Sequence, residues 1–284
     1  ILDGAMALCR EYENRFSRTL SGSEVYRLNH REDATGTYPL SDDMTNLLAT
    51  ALYYCERSGG AFDITTEPLS SLWNFSGTSP SVPPAEAIEE ARKKVDYKKL
   101  RLDGTRSTLT FLDPGTSIDL GAIAKGYIAD QLKAYLLDSG VESAMINLGG
   151  NVLCVGSRPD GTPFTVGLQK PFADRNETFA QVEVSDLSVV ASGVYERHFV
   201  EDGKNYHHIL DPSTGYPYDN GLISVTILSE RSVDGDALST TCFSLGLSRG
   251  MELVESMDGV YACFIDEDYQ IHYSDGMEKF LRKD

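Results

Sequence analysis

Two Asp-Gly pairs constrain this chain more than any other feature. Asp103-Gly104 stands in "KLRLDGTRSTLTFL" and Asp202-Gly203 in "HFVEDGKNYHH". Each pair interrupts an alternating run, the strongest short-range signal for a β-hairpin. Further strand signals run from Phe164 to Ile227, and "SAMIN" reads as another strand. Helical patterns are interspersed. Ala5, Leu8, Cys9, Tyr12 and Phe16 fall at helical spacing, and "SDDMTNLLATALYYCERSGG" predicts a second helix, capped by Ser41 and ended by Gly59-Gly60. A third is expected from about Gly121 to Ser139, stopped by Gly140, and a fourth begins in "DGDALSTT". "SGTSPSVPPAEAIEEARKKV" reads as a Pro/Ser-rich loop and a charged helix forming an exposed excursion. Because hairpins recur among the helices, the expected fold class is α+β, with mixed or antiparallel sheets, rather than a doubly wound parallel sheet. No low-complexity linker interrupts the chain. Residues 1–284 therefore read as one domain, with two subdomains around a cleft as the alternative.

The formal net charge of -18 argues against nucleic acid as a partner, because an acidic surface repels phosphate backbones. An anionic ligand would have to bring a cation or meet a locally basic pocket. Hydrophobic content of 41% over 284 residues supports a large core. The 5 cysteines contain no C-x-x-C pair and read as small buried apolar residues. No apolar run reaches the length of a membrane span. The chain opens at Ile1 without a methionine, so removal of an upstream segment is expected; any signal peptide or lipid anchor would have gone with it, and its absence says nothing about compartment.

Three stretches carry candidate chemistry. "SIDLGAIAKGYIAD" passes from an extended segment into a helix with Asp119, several small residues and Lys125. It is either a tight turn with a solvated lysine or a place where an anion lies against the backbone. In "VDGDALSTT", Asp234 is the expected N-cap, and Asp236 and Thr240 share a helix face at i, i+4. Such a pair can form half of a Mg²⁺ site, although spacing alone favours an ordinary cap. In "ERHFVEDGKNYHHILDPSTGYP", a two-residue turn would oppose Glu201 to Lys204, Phe199 to Tyr206 and Arg197 to His208. His208 would share a face with these aromatics and Arg197, a setting for phosphate contact or for accepting a proton from a hydroxyl, while His207 would point away beside His198. "DPSTGYP" would fix the chain after His208. "GGAFD" offers Phe62 and Asp63 for ring and hydroxyl contacts, yet alone it is a helix C-cap. "NLGGN" lacks the G-x-G-x-x-G spacing of a dinucleotide loop.

Taken in order, "SEVYRLN", "GGAFD", "IDLGAIAKGYIAD", "INLGGNV", "ASGVYERHF", "HHILDPSTGYP" and "DALSTT" resemble the ApbE family of FAD:protein FMN transferases. The resemblance implies a T-fold-like architecture with a central cleft for FAD. It also implies Mg²⁺-dependent transfer of FMN from FAD to a threonine or serine hydroxyl of an acceptor flavoprotein, with release of AMP. By the same resemblance the metal contacts fall on Asp236, Thr240, the adjacent Ser239 and the main-chain carbonyl of Ala122. Flavin-nucleotide contacts fall on Ala61, Phe62, Asp63, Asp119, Lys125 and Leu210, and His208 matches the proposed base. An FAD pyrophosphatase and a non-catalytic FAD-binding protein are the alternatives. The family's usual setting implies an extracytoplasmic, membrane-tethered protein.

Overall fold

The computed structural model describes residues 1–174 and 176–283. Elements are numbered along the chain. Helix α1 (Leu2–Phe16) opens it, and the chain then divides into two compact units. Unit A comprises Cys9–Ala124 and Arg197–Tyr218, and unit B comprises Ile1–Leu8, Lys125–Glu196 and Asp219–Asp284.

Unit A contains helices α2 (Glu24–Asn29), α3 (Asp42–Arg57), α4 (Glu67–Trp73) and α5 (Ala85–Arg92). Its strands β1 (Gly36–Pro39), β2 (Leu100–Asp103) and β3 (Thr108–Phe111) form an antiparallel sheet in the order β1-β3-β2. Side chains tie the helices to this frame. Ser41 caps α3 through Met44 N, while the Glu24 carboxylate accepts from both the N–H and the hydroxyl of Ser41 at 2.8 and 2.7 Å. Asn29 pairs with the main chain of Ile118 at 2.8 Å in both directions, which holds the segment before Asp119 extended. The charged helix α5 is no excursion: Ile88 and Ala91 are buried with Leu69, Trp73 and Leu210. Its charges occupy one face, and the apolar stripe behind them fills the core.

The two Asp-Gly pairs behave differently. Asp202 and Gly203 take φ of 50° and 79° and join β9 (His198–Glu201) to β10 (Lys204–His207) in the expected register, Glu201 opposite Lys204. At the first pair, Asp103 sits opposite Thr108, so the loop is 104–107 rather than two residues. The Asp103 carboxylate accepts from Thr105 N and Arg106 N at 3.1 and 3.0 Å, which satisfies a longer turn.

Unit B is built on a six-stranded antiparallel sheet in the order β13-β12-β11-β8-β5-β4. The strands are β4 (Ala144–Leu148), β5 (Asn151–Val155), β8 (Ser188–Gly193), β11 (Leu222–Ser229), β12 (Tyr261–Asp266) and β13 (Ile271–Tyr273). A hairpin of β6 (Phe164–Gln169) and β7 (Thr178–Val184) contributes Val166, Leu168, Val182 and Val184 to a core shared with Val152, Val189 and Leu228. Strand β11 is buried at every position, as a central strand covered on both faces should be. Two helices complete the unit. Helix α6 (Ala124–Asp138) begins three residues later than expected, because Ile123 N and Ala124 N both donate to Leu120 O in a preceding turn. Helix α7 (Ser232–Glu255) is interrupted at Gly246, whose φ is 77°. Among the described residues every strand pair is antiparallel, consistent with the frequency of hairpin signals.

Candidate cation and flavin site

In unit B the first turns of α6 and α7 meet. Asp236 is only 4% exposed, and its carboxylate accepts from Gly126 N at 2.9 Å and from Lys125 Nζ at 3.1 and 3.4 Å. Both donors lie in the first turn of α6, where unpaired N–H groups and the helix dipole favour an anion. Along α7, Ser239 donates its hydroxyl to Asp236 O at 2.9 Å. Ser192 on β8 reaches the hydroxyls of Ser239 at 2.9 Å and Thr240 at 3.1 Å. The Asp236 carboxylate thus lies beside an ammonium group, and three linked hydroxyls follow within the next turn of α7 and on β8. An oxygen-only donor set suits Mg²⁺ or Mn²⁺ rather than Zn²⁺. Among the described residues, no cluster of three or more His, Cys, Asp or Glu could hold a metal, so a cation here depends on hydroxyl and other neutral oxygens beside Asp236.

The expected N-cap of α7 is corrected by the structure. Arg231, not Asp234, stands at that position and makes no side-chain capping bond, while Asp234 lies inside the first turn. The cap comes from α6: Asp130 accepts from Ser232 N at 2.8 Å and Val233 N at 2.9 Å. Burial raises the Asp130 carboxyl above the usual carboxylate range, with the two N–H groups and Arg231 opposing the shift.

Unit A holds the remaining expected residues. Gly59 and Gly60, at φ of 65° and 88°, turn the chain out of α3 into Ala61, Phe62 and Asp63. Phe62 is 3% exposed, so its ring belongs to the core. The carbonyl of Ala61 accepts from the Tyr218 hydroxyl at 2.9 Å. Asp63 accepts from Thr65 N, Thr65 Oγ1 and Tyr97 N at 2.7, 2.6 and 2.8 Å. Burial raises its carboxyl above the ordinary value, with these bonds opposing. Asp119 N bonds to Ile64 O at 2.8 Å, which lays the two segments side by side, and the Asp119 carboxylate pairs with Arg18 at 3.2 Å. Gly121 N also donates to that carboxylate, and Ala122 follows in the turn before α6. His208 sits just past β10, its N–H bonded to Arg197 O at 3.1 Å, as the hairpin register requires. His207 faces the other way, buried, with Nε2 on Tyr218 O at 2.9 Å. Leu210 is buried against Trp73 and bridges Pro217.

Sequence reasoning missed three contributors: Ser192, Asp130 and Gly126. Asp130 and Gly126 were within the quoted stretch, four residues apart and so on one helix face. That spacing was their only signal, since nothing local says which element the face meets. Ser192 is one of two hydroxyls, with Ser188, in a strand whose other residues are apolar.

An antiparallel α+β chain with an oxygen-donor cluster where two helices begin is the class these observations define. The ApbE family model matches residues 2–265. The chain is 38% identical over 266 residues to the FAD:protein FMN transferase of Klebsiella pneumoniae, covering 93% of this chain and 81% of that one. It is 34% identical to the FAD:protein FMN transferase of Treponema pallidum, covering 99% and 81%. The crystal structure of the ApbE protein from Thermotoga maritima aligns with a TM-score of 0.90 at 32% identity, covering 99% of this chain and 91% of that one. The flavin transferase ApbE from Vibrio cholerae aligns at 0.87 and 28% identity, covering 99% and 90%. The chain belongs to the ApbE family.

Proposed function

We propose that this protein is an FAD:protein FMN transferase that moves FMN from FAD to a threonine or serine hydroxyl of an acceptor flavoprotein and releases AMP. The observation that carries the reading is the cluster of Asp236, Ser239, Thr240 and Lys125, which presents oxygens for a divalent cation beside an ammonium for a phosphate. Relatives bearing that name share 38 and 34% of their residues with the chain over nearly all of its length.

The proposed reaction balances as a substitution at phosphorus. The acceptor oxygen bonds to the FMN phosphorus, the bond from that phosphorus to the bridging oxygen breaks, and AMP carries the electron pair away. Mg²⁺, held by Asp236, Ser239 and Thr240, would neutralise charge on the pyrophosphate and the leaving group. Lys125 would steady a phosphate oxygen. His208 would take the acceptor proton, which the end of a hairpin strand suits because its main chain is pinned to Arg197. Phe62 and Leu210 are core residues, so their part in flavin binding would fall to the main chain, together with Ala61. Asp63 would hold the Thr65–Tyr97 segment in shape beside them, and Asp119 would do the same for its own turn. By family resemblance alone, we also place the protein outside the cytoplasm, tethered to a membrane.

The experiment is incubation with FAD, Mg²⁺ and an acceptor peptide, followed by mass spectrometry. A gain of one FMN is expected, and Asp236→Ala should lose both the product and divalent-cation binding. Full activity in that variant refutes the cation assignment. Free FMN formed at an undiminished rate with saturating acceptor would make hydrolysis the better description.

A further inference from the structure

We propose that Asp130 is a positioning residue for the cation site: it fixes the first turn of α7, which carries Asp236, Ser239 and Thr240, without itself meeting the cation. The inference rests on the cation reading above.

The start of α7 has an unusual support. A helix leaves its first N–H groups without internal partners, and a side chain at the N-cap ordinarily serves them. Here the N-cap residue Arg231 has extended backbone (φ -96°, ψ 128°) but no capping bond. Asp130 serves instead from another helix, with one carboxylate oxygen on Ser232 N and the other on Val233 N. The favour is returned one turn earlier on α6. Gly126 N, itself in the unpaired first turn, donates to Asp236 Oδ2 at 2.9 Å. Gly126 and Asp130 are four residues apart on α6, and Ser232 and Asp236 are four apart on α7, so the two helices clamp each other through matched turns.

The sheet supplies a third tether. The Ser232 hydroxyl donates to Asn151 Oδ1 at 2.8 Å and receives Ser188 Oγ at 3.1 Å. Ser232 is therefore pinned by its main chain to α6 and by its side chain to β5 and β8. A shift of this turn carries Asp236, and with it the spacing between carboxylate and hydroxyls, out of register. Partners that orient metal-binding groups from behind typically change metal affinity by about 10–100-fold when removed.

The test uses the full chain and Mn²⁺ as probe, titrated by electron paramagnetic resonance without FAD. Asp130→Ala should bind Mn²⁺ about 10–100-fold more weakly than the parent. A second change, Arg231→Ser, should restore part of that affinity in the Asp130→Ala background, because a serine in extended backbone at the N-cap can serve Val233 N, one of the two N–H groups that Asp130 holds. Loss of packing alone would not be repaired by that residue. Parental affinity in Asp130→Ala overturns the inference, as does a double variant that stays as weak as the single one. Asp130→Asn keeps the shape and one acceptor; should the alanine variant fail to fold, a measurable weakening is expected in it and parental affinity again overturns the proposal. With Mg²⁺ raised to saturation, kcat of the Asn variant should return towards the parent while the half-saturating Mg²⁺ concentration stays elevated. A parent chain that binds no Mn²⁺ refutes the cation reading itself, an outcome distinct from a parent that binds and a clamp that proves irrelevant.

Discussion

Replacing Gly126 by alanine separates local helix propensity from tertiary fit, because the two give opposite signs. Within α6, Gly→Ala should stabilise the helix by about 1 kcal/mol. The structure says otherwise. A Cβ at position 126 would run into the carbonyl oxygen of Ser232 and lie 2.6 Å from Ser232 C and 2.7 Å from Val233 Cα. Carbon atoms in good contact sit about 3.5–4.0 Å apart, so the start of α7 must retreat by roughly 1 Å. The opposing atoms are main chain, with no flexible side-chain end to swing aside. Overpacking of this kind costs about 1–3 kcal/mol, and moving Gly126 N off the Asp236 carboxylate weakens a bond to a charged group worth about 1.5–3 kcal/mol. With that bond fully lost, the sum after the propensity gain is a net loss of roughly 1.5–5 kcal/mol. Urea unfolding followed by circular dichroism should show a lower midpoint with an unchanged slope. Divalent-cation affinity should fall in the same variant. A Gly126→Ala protein as stable as the parent, or more so, would show that α6 and α7 do not approach as described and would remove the basis for the clamp.

Two other expectations concern titration. The folded-state carboxyl of Asp63 is raised, chiefly by burial, so the stability linked to it is fully present below about pH 3.9 and fades as the pH climbs through the raised value. The stability difference between the parent and Asp63→Asn should therefore favour the parent more at about pH 4 than at about pH 7, measured by urea unfolding. A difference that is flat, or that moves towards the parent as pH rises, would contradict this. Burial also raises the thiols, Cys154 to about 11 and Cys242 and Cys263 to about 12, with Cys55 shifted in the same direction. At about pH 8 these stay protonated and covered, so a disulfide reagent should modify only the half-buried Cys9 quickly in the native chain and all 5 cysteines after denaturation. Rapid native modification of Cys242 or Cys263, located by peptide mapping, would refute their placement.

Much of this protein was determined within short windows of sequence. The two-residue turn at Asp202-Gly203 needs only positive φ at adjacent positions, and it fixes which residues oppose each other up to His208. The Ser41 cap, the i, i+4 placement of Asp236 and Thr240 on one helix and the antiparallel α+β class follow from equally local periods. Tertiary structure decided the rest. Asp130 serves N–H groups 102 and 103 residues away, Ser192 meets Thr240 across 48, and Asn29 holds Ile118 across 89. Asp234 had the right composition for a cap, yet a helix end is capped by whichever carboxylate packing delivers to it. The α5 charges suggested exposure, while the stripe holding Ile88 and Ala91 decided burial. Local geometry acts through bonds a few residues long and leaves its mark in spacing. Contacts across the fold depend on which surfaces exclude water together, and no short window of the chain contains both sides of that choice.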